Sequence, residues 1–381
     1  MSRLTHSPQL VTVFKLIAIW CVVAVFLLFG SNWLSAEMPL GTALIGFAIL
    51  FTTILAASFG VVHEADELAR QLGEPYGTLI LTLSIVLIEV ILIVSVLLGP
   101  GEAPTIGRDS IFAVMMIIMN LVTGLCLLAG ALRHGEQEYN AQGALSYLSM
   151  IIVLAGMAFL LPNTLLQNLG GFSAIQAVVI ASLTILIYAS FLYFQMGQYK
   201  THFQQPPMGA MSIARIERAE AEQVEKAPLD LRKNIGHAIK LVAFMVPIVL
   251  LSKYLAIIID YGVATTGAPI ALGGLLIAII VFTPESITAI KAALNNETQR
   301  AVNLCLGAFV STVGLTVPAV LAIGLLTGKT VIFGISATET VLFALTIGLS
   351  AFTYLGQKTT AIQGLLHLVL FAVFTLTLLT A

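Results

Sequence analysis

Charge is what this chain has least of. Only 9% of its 381 residues are Asp, Glu, Lys or Arg, against 59% hydrophobic residues, whereas a soluble globular domain carries about 25% charged residues. The 17 basic and 19 acidic side chains leave a net charge of −2, so the basic face that nucleic-acid binding needs is missing. Cysteine is also scarce. Cys21, Cys126 and Cys305 each fall in an apolar run, which reads as packing with no disulfide or metal role. No CxxC pair, zinc spacing, Walker A loop or GxGxxG after a strand occurs, so ATP-driven and nicotinamide chemistry have no motif, and no cofactor is expected. What remains is a chain whose solvent is the lipid bilayer: an all-α polytopic membrane protein.

Eleven apolar segments of spanning length can be counted, at roughly 12–32, 40–62, 76–98, 110–132, 144–162, 171–195, 237–258, 268–292, 301–326, 334–353 and 360–380. The first is nearer the ~20 residues of a spanning helix than the 7–15 of a signal-peptide core, and reads as a retained helix. The one long polar segment, 200–236, contains "RIERAEAEQVEKAPLDLRK". Its alternating charges suggest a short exposed helix, a solvated connector above all and a regulatory linker as the alternative. Basic residues set the orientation. With the N-terminus and the 200–236 linker cytoplasmic, 14 of the 17 lie inside and only Arg108, Lys253 and Lys329 outside, which puts the C-terminus outside.

Without the first helix, ten segments remain, divided five and five by the linker. Five is odd, so a second copy would enter the membrane from the opposite side, as an inverted repeat. Gly77 and Gly273, Glu89 and Glu285, and Asn120 and Thr316 are each 196 residues apart. The expected organisation is therefore an N-terminal extra helix (1–38), a first five-helix repeat (39–199), the linker (200–236) and a second repeat (237–381).

Glu89 and Glu285 lie in the middle of the third and eighth apolar segments. An acidic residue at the bilayer centre costs about 2.5–3.5 kcal/mol on insertion scales. An ion pair fails on inventory, because Lys291, six residues beyond Glu285, is displaced about 9 Å along a helix. One alternative is a permanently neutral pair of acids. The other is a mobile counter-ion, with protons in one state and a metal cation in another. Two carboxylates from symmetry-related helices suit a hard cation such as Ca²⁺, which takes about 6–8 oxygen ligands. Thr82 and Ser84 around Glu89, Thr283 and Ser286 around Glu285, and Asn120, Ser311, Thr312 and Thr316 on partner helices are the supporting oxygens. Each Ser or Thr alone more often bonds its own helix backbone. Pro284 frees a carbonyl one turn earlier, so the helix carrying Glu285 is expected to be the more broken of the two. Competition of proton and cation for one carboxyl pair produces exchange.

These residues resemble the calcium/cation antiporter superfamily, in particular its cation/proton exchanger branch and the bacterial ChaA-type antiporters. The likeness lies in "ADELARQLGEPYGTLI", "EQEYNAQGA" and "SATETVLFALTIGLSAFTYLGQKTTAIQG" together with the two glutamate helices. It implies that Glu89 and Glu285 bind the cation and take up protons. It also implies a cell inner (plasma) membrane location and alternating access by the first and sixth helices of the family fold sliding against an eight-helix core. The sequence departs from the pattern where the usual Gly-Asn before each glutamate is Ile85-Val86 in one half and Val281-Phe282 in the other, and where a second-half glutamate is Gln363. Those departures leave room for Na⁺ or K⁺ beside Ca²⁺. Glu339 matches an acidic position of the tenth helix.

The leading reading is a secondary antiporter that exports Ca²⁺, Na⁺ or K⁺ against protons. The nearest rival is a sodium/calcium exchanger without proton coupling; a cation channel and an intramembrane hydrolase are more distant. "HEADE" at 63–67 imitates a zinc helix, but Glu67 stands where the second His is needed. His63, Glu64 and Glu67, at the inner end of the second helix, are secondary candidates for cation entry or pH sensing. Inorganic cations and lipid are the expected partners, and a homo-oligomer is compatible with all of this.

Overall fold

A backbone that meets no water in hydrocarbon must satisfy its N–H and C=O groups within each segment, and a helix does this. The computed structural model describes residues 8–35, 38–72, 76–99, 103–165, 170–206 and 231–380, and no strand occurs among them. The spans are α1 (Pro8–Trp33), α2 (Leu40–Leu72), α3 (Tyr76–Leu97), α4 (Ile106–His134), α5 (Ala141–Thr164), α6 (Ala174–Met196), α7 (Leu231–Thr266), α8 (Ala271–Leu294), α9 (Thr298–Thr327), α10 (Ala337–Leu355) and α11 (Ala361–Thr380). Ten of these are long and apolar enough to cross a membrane, and α3 contributes the shorter apolar stretch Thr82–Leu97. All eleven expected segments are present as helices.

Two helices outrun the apolar stretches that announced them. α2 has 33 residues and α7 has 36, so at 1.5 Å per residue each is about 50 Å long, well beyond the ~30 Å hydrocarbon core. They pack along each other, with Gly60 of α2 set under the Phe244 ring of α7. Most of the expected charged helix after α6 lies outside the described residues; its last three, Leu231 to Lys233, belong to α7. Before the gap, a single 3-10 turn, Lys200–Phe203, follows α6.

The regular hydrogen bonding of α4 is interrupted by a π-helical stretch at Met116–Val122, that of α5 by one at Gly156–Leu160, and that of α9 by one at Thr312–Thr316. π turns accumulate at functional positions because they re-aim side chains. Two short backbone bridges tie the loops. Glu138 pairs with Lys358 before α5, and Gly171 pairs with Ile332 after it, so the two bridges close opposite ends of the bundle.

Small residues let the central helices approach closely, as packing within lipid favours. A Cβ added to Gly274 of α8 would lie 2.6 Å from the Ser110 backbone nitrogen of α4. Gly124 of α4 and Gly364 of α11 face each other in the same way: a Cβ on either would come within 2.9 Å of the other's carbonyl oxygen. α4 is thus held at the centre between α8 and α11, with most of its residues buried.

Candidate functional site: two glutamates within the bundle

Glu89, at mid-helix in α3, is fully buried. Its Oε2 accepts hydrogen bonds from Thr312 Oγ1 at 3.0 Å and Thr316 Oγ1 at 3.1 Å. Both donors lie in the π-helical stretch of α9, and they begin and end it. Glu89 Oε1 is buried without a protein partner. Glu285, on α8, lies within electrostatic reach of Glu89, and its Oε2 is likewise buried without a partner. Among the described residues no Lys or Arg forms an ion pair with either carboxyl. The pair therefore offers one carboxylate oriented by two hydroxyls and at least two oxygens free to bind something else.

A cavity of about 360 Å³ reaches Glu285 of this pair. Lys200 and Gln204 from the segment after α6, Arg300 and Asn303 from the first turns of α9, and Tyr147, Tyr188, Gln195, Thr82, Ser311 and Thr312 also line it. Gln195 Nε2 donates to Tyr147 OH at 2.6 Å. The segment after α6 packs against the same end: Asn303 Nδ2 donates to the Phe203 carbonyl at 2.7 Å, and the Gln299 backbone N–H to Gln205 Oε1 at 2.8 Å. The vestibule thus joins Glu285 to the end of the bundle that carries these polar residues.

The other expected oxygens divide sharply. Ser84 donates to the Ile80 carbonyl, Thr283 to Ile279, Ser286 to Phe282, and Ser311 to Gly307 and Ala308. All four spend their protons on their own helix, as isolated Ser and Thr do, although Ser311 and Thr82 also line the vestibule. Thr312 and Thr316 are the exception. The expectation of a broken α8 needs correction. α8 runs unbroken through Pro284, with Thr283, Ser286 and Thr288 bonded to nearby carbonyls. The irregular backbone sits instead on α4, α5 and α9.

Asn120 points elsewhere. Its Nδ2 donates to Thr346 Oγ1 at 2.9 Å, and its Oδ1 lies 3.2 Å from His367 Nδ1. The other ring nitrogen of His367 is 3.1 Å from Thr353 Oγ1. His367, Thr346 and Thr353 are all buried, so α4, α10 and α11 share a satisfied polar knot. The sequence reading passed over His367, although an ionisable residue inside "LLHLVL" is itself a signal of intramembrane function.

The secondary candidates separate from the glutamates. Glu64 is buried at the end of α2, with His237 Nδ1 at 2.6 Å and Lys240 Nζ at 3.7 Å, both from α7. His63 is exposed and Glu67 half-buried. Glu339 and Gln363 are helix caps. Glu339 Oε2 accepts from the Ser336 backbone N–H at 2.8 Å, and Gln363 Oε1 from Thr360 at 3.0 Å, while Ser336 and Thr360 hydroxyls accept in return. These are capping boxes, in which an N3 carboxylate or amide satisfies an orphan N–H.

A multi-pass helical protein with two uncompensated carboxyls inside the bundle, one of them lining a vestibule, is a membrane ion-transport protein. The chain belongs to the sodium/calcium exchanger protein family, whose model matches residues 42–197 and 237–380. It is 31% identical over 374 residues to the sodium-potassium/proton antiporter ChaA of Escherichia coli (strain K12), covering 98% of this chain and 97% of that one. Its fold is similar to that of native YfkE, with a TM-score of 0.72 and 17% identity over 96% of this chain and 100% of the other. It is also similar to the H⁺/Ca²⁺ exchanger CAX, with a TM-score of 0.63 and 15% identity over 96% and 88% of the two chains.

Proposed function

We propose that this protein is a cation/proton antiporter of the cytoplasmic membrane, exporting Ca²⁺, Na⁺ or K⁺ from the cytoplasm in exchange for protons. One observation carries the reading: two carboxyls without a fixed counter-charge, Glu89 fully buried and held by two threonines, Glu285 half-buried and lining a vestibule. Such a pair needs either protons or a cation, and the same oxygens serve both. Proton coupling is favoured over sodium coupling by the likeness to ChaA, named a sodium-potassium/proton antiporter. That name also puts monovalent cations beside Ca²⁺. Glu89 and Glu285 are the shared site, with Thr312 and Thr316 as supporting oxygens.

Alternating access follows from an inverted repeat of α2–α6 and α7–α11. Three features support it. The π-helical stretches of α4 and α9 start at Met116 and Thr312, 196 residues apart, in the register that relates the glutamates, while that of α5 at Gly156 has no counterpart in α10. The two loop bridges exchange under the same pseudo-two-fold, since one joins the α4–α5 and α10–α11 loops and the other the α5–α6 and α9–α10 loops. The segments matched by the family model lie on either side of the linker. The vestibule then opens to the cytoplasm, where the basic-residue bias puts Lys200 and Arg300.

Ion-by-ion transport by purified protein in liposomes, read with a pH-sensitive dye, tests the proposal. An imposed pH gradient should drive Ca²⁺, Na⁺ or K⁺ uptake in the complete absence of sodium on the other side. Uptake that disappears whenever sodium is removed would make the protein a sodium/calcium exchanger instead.

A further inference from the structure

Thr312 and Thr316 reach one oxygen, Glu89 Oε2, from positions four residues apart on α9. In a regular helix two such residues point about 40° apart and are separated by about 6 Å along the axis. Their meeting on one atom therefore depends on how this turn is wound, and it is wound as a π turn. Pro318, two residues beyond the turn, has no N–H to give the Gly314 carbonyl, so the regular i→i−4 ladder cannot close at the middle of the stretch. Gly314 itself puts no side chain there. The winding of the turn thus leans on what packs against it.

Tyr188 of α6 packs there. It is buried, and its ring lies so close to Gly314 that a Cβ on the glycine would stand 2.7 Å from the ring's Cγ and 2.8 Å from Cδ2. Its hydroxyl is within hydrogen-bonding reach of Ser311, the residue that precedes the π turn. Ser311 sends its own proton to the Gly307 and Ala308 carbonyls, which leaves its oxygen to accept. One side chain thus touches the entry and the middle of the stretch. The other half of the bundle has a similar arrangement, since His367 of α11 reaches Asn120 inside the π stretch of α4. In both cases a ring from the last helix of one proposed repeat meets the π stretch of the other.

We propose that Tyr188 is a positioning residue of the cation site: its ring, seated on Gly314, holds the π turn in the winding that brings both threonine hydroxyls onto Glu89. The inference rests on the reading of Glu89 as a cation ligand and adds to it a residue that acts through the threonines. Outer side chains of this kind set the direction of a ligand, and losing one costs about ten- to a hundredfold in metal affinity. A side chain that only filled space would change stability and leave the contribution of the threonines intact. Because Tyr188 also lines the vestibule, equilibrium binding is the measurement that separates positioning from access.

The test titrates Ca²⁺, Na⁺ and K⁺ one at a time into the purified full-length protein in detergent, reading the heat of binding, and compares the maximal rate of uptake in liposomes. Tyr188→Leu should weaken binding about tenfold or more and leave the maximal rate within about threefold. Tyr188→Phe, which keeps the ring, should restore binding to within about threefold of the unsubstituted protein. Gly314→Ala presses on the same contact from the other side and should reproduce the loss, so it carries the comparison alone if Tyr188→Leu does not fold. In a Thr316→Val background, adding Tyr188→Leu should cost less than about threefold more, because the two changes remove one effect. Unchanged affinity in Tyr188→Leu or Gly314→Ala, or a Tyr188→Leu loss that persists in full beside Thr316→Val, would overturn the positioning role alone. Failure of the unsubstituted protein to bind any of the three cations would overturn the cation-site reading and the role of Tyr188 with it.

Discussion

Hydrogen bonds to a charged group are worth about 1.5–3 kcal/mol each, and Glu89 receives two from neutral hydroxyls. Thr312→Val and Thr316→Val each delete one of them while keeping the side chain's volume. Each should weaken cation affinity about tenfold or more, with maximal rate changing less, as read from the concentration dependence of uptake. Glu89→Gln and Glu285→Gln should abolish exchange, since an amide neither loses a proton nor offers an anionic ligand. Both variants should still insert and elute as folded protein; near-normal uptake in either would refute the shared site. Asn120 calls for a different outcome from the ligand role its register suggests. Because its amide ties Thr346 to His367, Asn120→Ala should lower thermal stability, stranding buried groups at about 1–3 kcal/mol each, and leave cation affinity near normal. The glutamates were legible because carboxylates are so rare in these apolar runs. The partners of Asn120 were not, because periodicity gives a helix face but not the side chains opposite it.

At the scale of the helix, sequence and structure agree on the number and order of the spans and part company over where the backbone is irregular. Pro284 pointed to α8, yet α8 is continuous. The interruptions fall on Met116–Val122, Gly156–Leu160 and Thr312–Thr316, where no proline precedes the π turns within the same helix. A π turn is one inserted residue, and neither composition nor hydropathy registers it. Capping was legible in principle. Ser336 with Glu339 and Thr360 with Gln363 have the spacing of a capping box, but the functional reading of Glu339 and Gln363 took precedence. Close helix crossings were also hidden, since a glycine in a spanning segment does not reveal what crosses it. Gly274 is the sharpest case, because the obstacle is backbone: Ser110 N and Asp109 C lie 2.6 and 2.7 Å from an added Cβ. Gly274→Val should force α8 away from α4, destabilise the protein by about 1–3 kcal/mol or more, and displace Glu285. Thermal unfolding in detergent should show a lowered midpoint. Gly262→Ala, whose added Cβ would meet nothing within 4 Å, should not.

For the whole molecule the question is which parts move together. α2 and α7 are the longest helices, pack along each other and carry the Glu64–His237–Lys240 cluster between their ends. Counted without α1, they are the first and sixth helices, the pair that the family resemblance sets in motion. If they shift as one body against the other eight, a tie between them should be harmless and a tie from either to the core should stop turnover. The structure supplies both ties. Ser95 Oγ of α3 donates to Ser252 Oγ of α7 at 2.6 Å, so Ser95→Cys with Ser252→Cys puts two thiols within disulfide reach. Glu64→Cys with His237→Cys joins α2 to α7 through a short bis-thiol cross-linker. With Cys21, Cys126 and Cys305 replaced by serine, oxidation of the first pair should abolish exchange and reduction restore it. Cross-linking the second pair should leave at least half the rate. Full activity in the oxidised first pair would mean that α7 does not move against α3, and would rule out a sliding α2–α7 body as the source of alternating access.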